Sequence, residues 1–181
     1  DAWATLPTAS SHDFVLCAPN QVPFALAGSG MSTIVSGGSG TWWEQGVLPR
    51  LVRQTNADVL FAPGYTAPLF CSVPIVVTIH DVSFAAHPEW FSWREGLRRR
   101  TLTRLTGLRA ARVLTVSEFS KHEITEHLKI GAGKIDVIYE GVPDLAVDRT
   151  QQSSVSTILY VGSLFNRRHI PELIEGFSRL A

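Results

Sequence analysis

The chain has 181 residues, 45% of them hydrophobic and 18% charged, a composition typical of a folded globular protein. Sixteen basic residues balance sixteen acidic ones, so no net positive charge favours a nucleic-acid partner. Prolines and a glycine interrupt the most apolar stretch, 59–79, and exclude it as a membrane span.

Seven short apolar runs predict strands, and most are continuous rather than alternating, as in strands buried on both faces. They cover residues 14–18, 32–36, 58–62, 75–79, 113–116, 135–139 and 158–162. Helical patterns lie between several of them, over 43–55, 93–108, 118–128 and 169–180. This alternation predicts an α/β fold with an open parallel sheet. Ser120 and Glu123 have the S-x-x-E spacing of a capping box near the start of the third helix.

Residues 141–157 differ in composition from the segments on either side. They are polar, with Gly141, Pro143 and a QQSS run, which predicts a connector between two domains.

Polar or charged residues follow four of the predicted strands. The carboxyl ends of parallel strands meet at one edge of a sheet, where ligands bind in open α/β folds. The residues at these ends are His80–Asp81, Ser117–Glu118, Glu140–Gly141 and Ser163–Arg168. Their coincidence predicts a cleft along that edge.

His80 directly follows the predicted strand 75–79. A histidine there can donate to a developing negative charge or act as an acid or base. The alternative is a buried histidine bonded to a nearby carbonyl oxygen, and the residue type alone favours that alternative.

The segment "GSLFNRR" predicts an anion-binding turn. Gly162 allows a tight turn after a strand, and the helix that follows offers free N–H groups beside Ser163. Arg167 and Arg168 add charged donors suited to phosphate. The alternative is a solvated surface turn, since the spacing is not that of a P-loop or of G-x-G-x-x-G.

Residues 90–112 form a basic amphipathic segment. Its arginines include Arg98, Arg99, Arg100 and Arg104, and an apolar set of Trp90, Trp93, Leu97, Leu105 and Leu108 follows helical spacing. The segment could contact anionic lipid or a phosphorylated acceptor. The alternative is a helix that packs its apolar side on the core and exposes a basic face.

The "HEITEH" segment does not predict a metal site. His122 and His127 are five residues apart, roughly 140° around a helix, whereas the zinc-protease motif needs four. Cys17 and Cys71 form no C-x-x-C pair, which favours reduced core cysteines in the cytosol over a disulfide.

With these residues located, the chain resembles family 4 glycosyltransferases of the GT-B fold, particularly mannosyltransferase-like members. The resemblance runs from about Trp42 to Ala181. It is carried by "ADVLFAPGYTAPL", "VVTIHDVSFAAHPEWF", "RVLTVSEFSKHEI", "KIDVIYEGVP" and "ILYVGSLFNRRHIPELIEGFSRL" in that order.

The resemblance implies two Rossmann-like domains and transfer of a hexose, such as mannose, from a nucleotide diphosphate sugar with retention of configuration. Gly162, Ser163, Arg167 and Arg168 fall on the segment that contacts the donor diphosphate, with Arg168 where lysine is usual. His80 falls on a histidine near the transferred sugar. Gly141 falls on the inter-domain hinge.

The resemblance also implies the partners. The donor is a nucleotide sugar, and the acceptor is a glycan or a lipid-linked molecule. Arg98, Arg99, Arg100 and Arg104 are candidates for contact with the acceptor or an anionic membrane. We expect no metal or other cofactor, no nucleic acid, and a cytoplasmic location that includes the inner face of the membrane.

Measured against the family, residues 1–140 would form an N-terminal, acceptor-side domain without its first strand, 141–157 a linker, and 158–181 the start of the donor-binding domain. A carboxylate pair of the family's second domain has no counterpart in the matched segments, so we expect an inactive fragment of a larger enzyme. A rival hypothesis is a non-catalytic binding or membrane-adaptor module. A metal hydrolase built on His80, Asp81 and His87 has little support, because no ligand set has metal spacing.

Overall fold

The computed structural model describes residues 6–22, 30–141, 158–163 and 168–179. The strands are β1 (Phe14–Ala18), β2 (Met31–Val35), β3 (Leu60–Ala62), β4 (Ile75–Thr78), β5 (Arg112–Thr115) and β6 (Ile135–Val137). The α-helices are α1 (Gly40–Trp42), α2 (Leu48–Gln54), α3 (Ser83–Ala86), α4 (Trp93–Arg109), α5 (Glu118–Leu128) and α6 (Ile170–Ser178). Short 3₁₀ turns cover Pro7–Ser11, Pro88–Trp90 and Ala132–Lys134.

Four strands form a parallel sheet in the order β3-β4-β5-β6. Its central pair places Val77 opposite Val113, and neither residue is exposed to solvent. Parallel neighbours need crossover connections. Here α3 and α4 lie between β4 and β5 in the chain, and α5 lies between β5 and β6. The predicted α/β fold with a Rossmann-like parallel sheet is therefore confirmed.

The first two strands form a separate parallel pair, in which Cys17 lies opposite Ile34. The sequence predicted that they belong to the same sheet, buried on both faces. Instead, Val15 and Leu16 on β1 are exposed, as is Val35 on β2. Side-chain packing connects the pair to the rest of its unit, because Cys17 and Ile34 pack against a cluster of Trp43, Leu48, Leu51 and Val52 that also meets Leu60 of β3.

The main core lies around β4 and β5. Ile79, Val77 and Val113 from the sheet pack with Ile124 and Leu128 of α5, and all five are fully buried. This burial follows from the continuous apolar runs of the central strands. Burying apolar surface of this kind contributes roughly 25 cal/mol per Å².

Helix α4 packs through small and hydroxyl residues. Gly96, Thr103, Thr106 and Gly107 are buried, whereas the leucine-rich stripe of the same helix is exposed. A Cβ atom at Gly107 would lie 2.3 Å from Ile130 Cδ1, so the helix approaches its neighbours too closely for a large side chain on that face. The alternative of an apolar stripe packed on the core is therefore wrong for the described residues.

Helix α5 begins and ends with specific caps. The Ser117 side chain accepts a hydrogen bond from Ser120 N at 3.0 Å, so Ser117 is the N-cap and Ser120 lies buried in the first turn. The capping box predicted for Ser120 and Glu123 is wrong by one helical turn. Lys129 adopts a left-handed conformation with φ 57° and ends the helix.

A π-helical turn, Trp43–Val47, joins α1 to α2. Such turns are rare and often lie at functional sites. It brings Glu44 and Gln45 side by side toward the loop that follows β3, as described below.

Contacts divide the chain into one unit of Asp1–Glu140 and another of Gly141–Ala181. Most of the predicted linker, 142–157, lies outside the described residues. The strand predicted over 158–162 is not formed, because no described strand pairs with this segment, while α6 covers most of the predicted helix 169–180.

Candidate functional site

The carboxyl ends of neighbouring strands bring several predicted residues to one edge of the sheet. β4, β5 and β6 are adjacent and parallel, and they are followed by His80, Ser117 and Glu140 respectively. The predicted edge therefore exists in the Asp1–Glu140 unit. The fourth predicted contributor, Ser163–Arg168, belongs to the other unit.

His80 is half-buried and bonded to the loop that follows β3. Its Nε2 lies 3.1 Å from the Pro63 carbonyl oxygen, and its ring is 5.7 Å from the ring of Tyr65. A carbonyl oxygen can only accept, so Nε2 carries a proton and Nδ1 is the atom that changes between acceptor and donor on protonation. The carbonyl bond foreseen by the alternative interpretation is thus present, and it leaves one ring nitrogen available for chemistry.

Asp81 holds the same loop through Tyr65. The Tyr65 hydroxyl donates to Asp81 Oδ2 at 2.7 Å, and Ser83 N donates to Asp81 Oδ1 at 2.9 Å. Burial raises the pKa of Tyr65, and its bond to Asp81 raises it further. Burial also raises the pKa of Asp81, but hydrogen bonds from Tyr65 and Ser83 outweigh this effect, so the pKa of Asp81 lies below its ordinary value.

Tyr65 occupies a strained backbone position. Its φ is 61°, in the left-handed region that side chains other than glycine rarely adopt. Its amide N–H donates to the Thr78 carbonyl at 2.9 Å, which together with the Asp81 bond offsets the strain. The backbone before His80 is also fixed, because the buried Thr115 hydroxyl donates to the Ile79 carbonyl at 2.7 Å.

Helical side chains fix the rest of this loop. The Thr66 hydroxyl donates to Glu44 Oε2 at 2.6 Å. Gln45 Nε2 donates to the Ala67 carbonyl at 3.0 Å, and Gln45 Oε1 accepts from Leu69 N at 2.8 Å. The π-helical turn therefore braces the loop that contacts His80.

The arginines of α4 divide between two cavities. Arg98 and Arg99 line a cavity of about 150 Å³ together with Thr41, Tyr65, Thr66, Phe84, Leu102 and Thr103. Arg98 Nη1 donates to Thr41 Oγ1 at 3.2 Å, and Arg99 pairs with Glu95 at 2.7 Å. Arg100 and Arg104 line a different cavity of about 490 Å³. The four predicted contact residues therefore do not form one site.

The predicted diphosphate segment is described in part. Gly162, Ser163 and Arg168 are exposed, and Arg167 lies outside the described residues. The Tyr160 hydroxyl donates to the Ser163 carbonyl at 2.9 Å, closing a turn in which a Cβ atom at Gly162 would lie 2.7 Å from Tyr160 Oη.

Helix α6, which follows this turn, carries an acidic residue in its first turn. Glu172 lies 3.2 Å from His169 Nδ1, and hydrogen bonds to its own backbone amide and to His169 lower the pKa of Glu172. Its carboxylate therefore competes with a bound anion for the free amides at this helix end. The sequence interpretation missed this competition.

Three other histidines, His87, His122 and His127, each pair with a nearby glutamate. His127 lies 3.6 Å from Glu123, and His122 lies 3.3 Å from Glu126, so the two histidines have different partners. Ligand atoms of Glu123, Glu126 and His127 lie within 4.8 Å of one another on α5. His87 pairs with Glu89 at 3.2 Å and stacks on Trp90.

The contacts of Tyr65 and Pro63 with the candidate site were also missed. The available signal was the sequence "PGY" directly after β3, since Pro-Gly pairs mark a tight turn at a strand end.

Comparisons with known proteins identify the family. A family model described as Glycosyltransferase Family 4 matches residues 11–144, about three quarters of the chain. No curated protein and no solved structure matches the chain. None of the helices in the described ranges is both long and apolar enough to cross a bilayer. The match covers β1 through β6 with the His80 edge, and the chain therefore belongs to Glycosyltransferase Family 4.

Proposed function

We propose that the protein acts in the transfer of a hexose, such as mannose, from a nucleotide diphosphate sugar to a glycan or lipid-linked acceptor, with retention of configuration. The observation that carries the proposal is the interlocked edge around His80. There, Pro63 fixes the proton on Nε2, and Asp81 holds the Tyr65 loop against the imidazole. Rigid support of this kind is what a group that orients or stabilises a reacting sugar needs.

The donor diphosphate is assigned to the segment of Gly162, Ser163, Arg167 and Arg168. The support is the chemistry of the side chains, since arginine suits phosphate oxygens, whereas Glu172 competes for the amides at the start of α6. Charge developing on the leaving diphosphate is stabilised by these donors rather than by a metal, so we propose a metal-independent reaction without a cofactor. Gly141 is assigned as a hinge, at the boundary between the two units.

The acceptor is assigned to the small cavity lined by Arg98 and Arg99. Tyr65 lines this cavity and also contacts His80, so the cavity adjoins the proposed reacting centre within the same unit. The Arg98 guanidinium, which has donors beyond its bond to Thr41, suits a phosphorylated or carboxylated acceptor, whereas Arg99 is paired with Glu95. A cytoplasmic location, including the inner face of a membrane, is part of this proposal.

Transfer assays with labelled nucleotide sugars test the proposal. We expect the full-length gene product to release nucleoside diphosphate and to form a product whose anomeric configuration, read by NMR coupling constants, matches that of the donor. We expect the 181-residue chain to remain at background, because transfer needs groups from both sides of a cleft at reacting geometry. Turnover by the 181-residue chain alone would contradict the expectation that it is inactive by itself.

A second candidate function is a non-catalytic binding or membrane-adaptor module. The observation that favours it is the exposure of large apolar residues on α4 beside arginines. If the full-length gene product neither hydrolyses nor transfers any donor of the panel, this second candidate replaces the first.

Replacing Arg168 with alanine in the full-length gene product is expected to weaken nucleotide-diphosphate binding about tenfold to a hundredfold. This is the loss expected for one charged hydrogen bond. Calorimetry with the nucleoside diphosphate measures it, and Arg179→Ala is the matched control, since Arg179 is also exposed and pairs with Glu175. Equal affinity in wild type and Arg168→Ala removes Arg168 from the donor site.

A further inference from the structure

The outward face of α4 exposes large apolar side chains. Trp93 is 72% exposed, Leu97 56%, Leu108 43% and Leu105 37%. The opposite face, with Gly96, Thr103, Thr106 and Gly107, packs on the core. The apolar stripe is therefore not an unfilled part of the core, and no described residue of the Asp1–Glu140 unit buries it.

Cationic side chains lie among these apolar residues. Arg100, Arg104, His127 and Lys129 line the cavity of about 490 Å³ together with Leu97, Thr101 and Leu105. Arg104 Nε donates to the Leu128 carbonyl at 3.1 Å, which leaves its two Nη groups as further donors. Within the described ranges, neither Arg100 nor Arg104 forms an ion pair with a carboxylate.

The positive charge is local to this helix. Helix α4 carries six arginines and one glutamate, although the whole chain has a formal net charge of zero. Exposed Arg99 is paired with that glutamate, Glu95, and Arg98 and Arg99 line the cavity beside Tyr65. Arg94 lies over the ring of Trp93, and Arg109 lies over the ring of Phe70. Arg100 and Arg104 are the arginines that line the cavity beside Leu97 and Leu105, with Lys129 beyond the end of α5.

We propose that this face of α4 docks on an anionic lipid bilayer, with Trp93, Leu97, Leu105 and Leu108 at the acyl boundary and Arg100, Arg104 and Lys129 bound to lipid phosphates. The inference adds a specific surface to the proposed function, and it is tested without any measurement of turnover.

Charge and apolarity together select a bilayer as the occupant. Tryptophan is favoured at the membrane interface, where one end of its ring is apolar and the other polar. Arginine and lysine bury their apolar stems and keep their charged ends among headgroups. A cluster of positive charges near a membrane is attracted to anionic lipid, and each cation close to the surface adds to the binding free energy. A nucleic-acid partner would not explain four exposed apolar side chains on the same face.

Co-sedimentation of the chain with vesicles tests the inference. The probes are vesicles of phosphatidylcholine with phosphatidylglycerol at 3:1, and vesicles of phosphatidylcholine alone, at low salt. We expect binding to the mixed vesicles only, and we expect Arg100→Gln with Arg104→Gln to weaken it about thirtyfold. Arg50→Gln with Arg53→Gln is the matched control, because these two exposed arginines of α2 remove the same charge elsewhere in the unit.

A second pair of variants separates insertion from simple charge attraction. Trp93→Ser should weaken binding to mixed vesicles about tenfold, whereas Trp42→Ser, which changes a tryptophan that is 80% exposed on α1, should leave it unchanged.

Equal losses in the α4 and α2 arginine variants overturn the inference, as does wild-type chain that stays in the supernatant. A chain that dimerises in solution and becomes monomeric on Leu97→Ser with Leu105→Ser also overturns it, because the face is then an interface between copies.

Discussion

Replacing His80 with alanine is expected to lower turnover of the full-length gene product by about two to four orders of magnitude, the range observed for groups that transfer protons or stabilise developing charge. The same change should lower the free energy of unfolding by only about 1 kcal/mol, because the residue is half-buried and makes one hydrogen bond, to the Pro63 carbonyl. Steady-state kinetics with the active donor and urea denaturation of the same preparations measure the two effects.

His122→Ala is the matched control for this experiment. His122 is an exposed histidine on α5 that pairs with Glu126, whereas His80 contacts Pro63 and Tyr65. Its replacement should change neither quantity. A His80→Ala protein whose melting temperature collapses while its folded fraction turns over normally would falsify the functional assignment and leave a structural role.

The second large effect concerns stability. Ile124→Ala is expected to lower the free energy of unfolding by about 2–5 kcal/mol, because Ile124 on α5 is fully buried in the main core and its truncation leaves a cavity. Leu97→Ala should change it by less than about 0.5 kcal/mol, because Leu97 is 56% exposed on α4. Chemical denaturation of the two variants and the wild-type chain measures both values.

This pair of variants compares two apolar residues that both fit a helical pattern in the sequence but differ in burial, since Leu97 is exposed and Ile124 is buried. If Leu97→Ala costs as much as Ile124→Ala, then α4 packs its leucines on a core, and both the observed orientation of the helix and the lipid-binding inference are wrong. A slight gain in solubility for Leu97→Ala would agree with an exposed stripe.

The positions of most strands and helices could be predicted from the sequence, because they depend on local composition. Helix α5 has the predicted bounds, and α4 differs from its prediction by one residue at its end. The predicted strand 158–162 failed for a non-local reason. A run such as "ILYVG" shows β-propensity, but a strand exists only where a neighbour provides its hydrogen bonds.

The orientation of α4 could not be predicted from hydrophobicity. A periodicity argument places Leu97, Leu105 and Leu108 on the buried side. The orientation is decided by the close approach of the helix to Ile79 and Ile130. Only a small residue such as Gly107 permits that approach. That distance depends on tertiary packing. The only sign of it in the sequence is Gly107, a glycine within a helical pattern.

The candidate site was predictable in place but not in detail. The rule that polar residues after parallel strands meet at one edge located His80 correctly in the sheet. The contacts with Pro63 and Tyr65 depend on a left-handed conformation at Tyr65, which a sequence does not prescribe for a residue other than glycine. The assignments of Arg167 and Arg168 to a donor stay predictions.

The π-helical turn Trp43–Val47 has a consequence for insertions and deletions in this region. A π turn accommodates one residue more than the corresponding α-helical segment, so removing any single residue there lets the helix continue as a regular α-helix. Because the π turn takes up its extra residue locally, such a deletion would leave α1 facing nearly the same way relative to α2, and Thr41 would still reach Arg98. A deletion within the regular helix α2 would instead rotate the preceding residues by about 100°. Thr41 would then turn away from Arg98, and the wall of the smaller cavity would open. The π turn is therefore the part of this helix where the loss of one residue changes the orientation of α1 least.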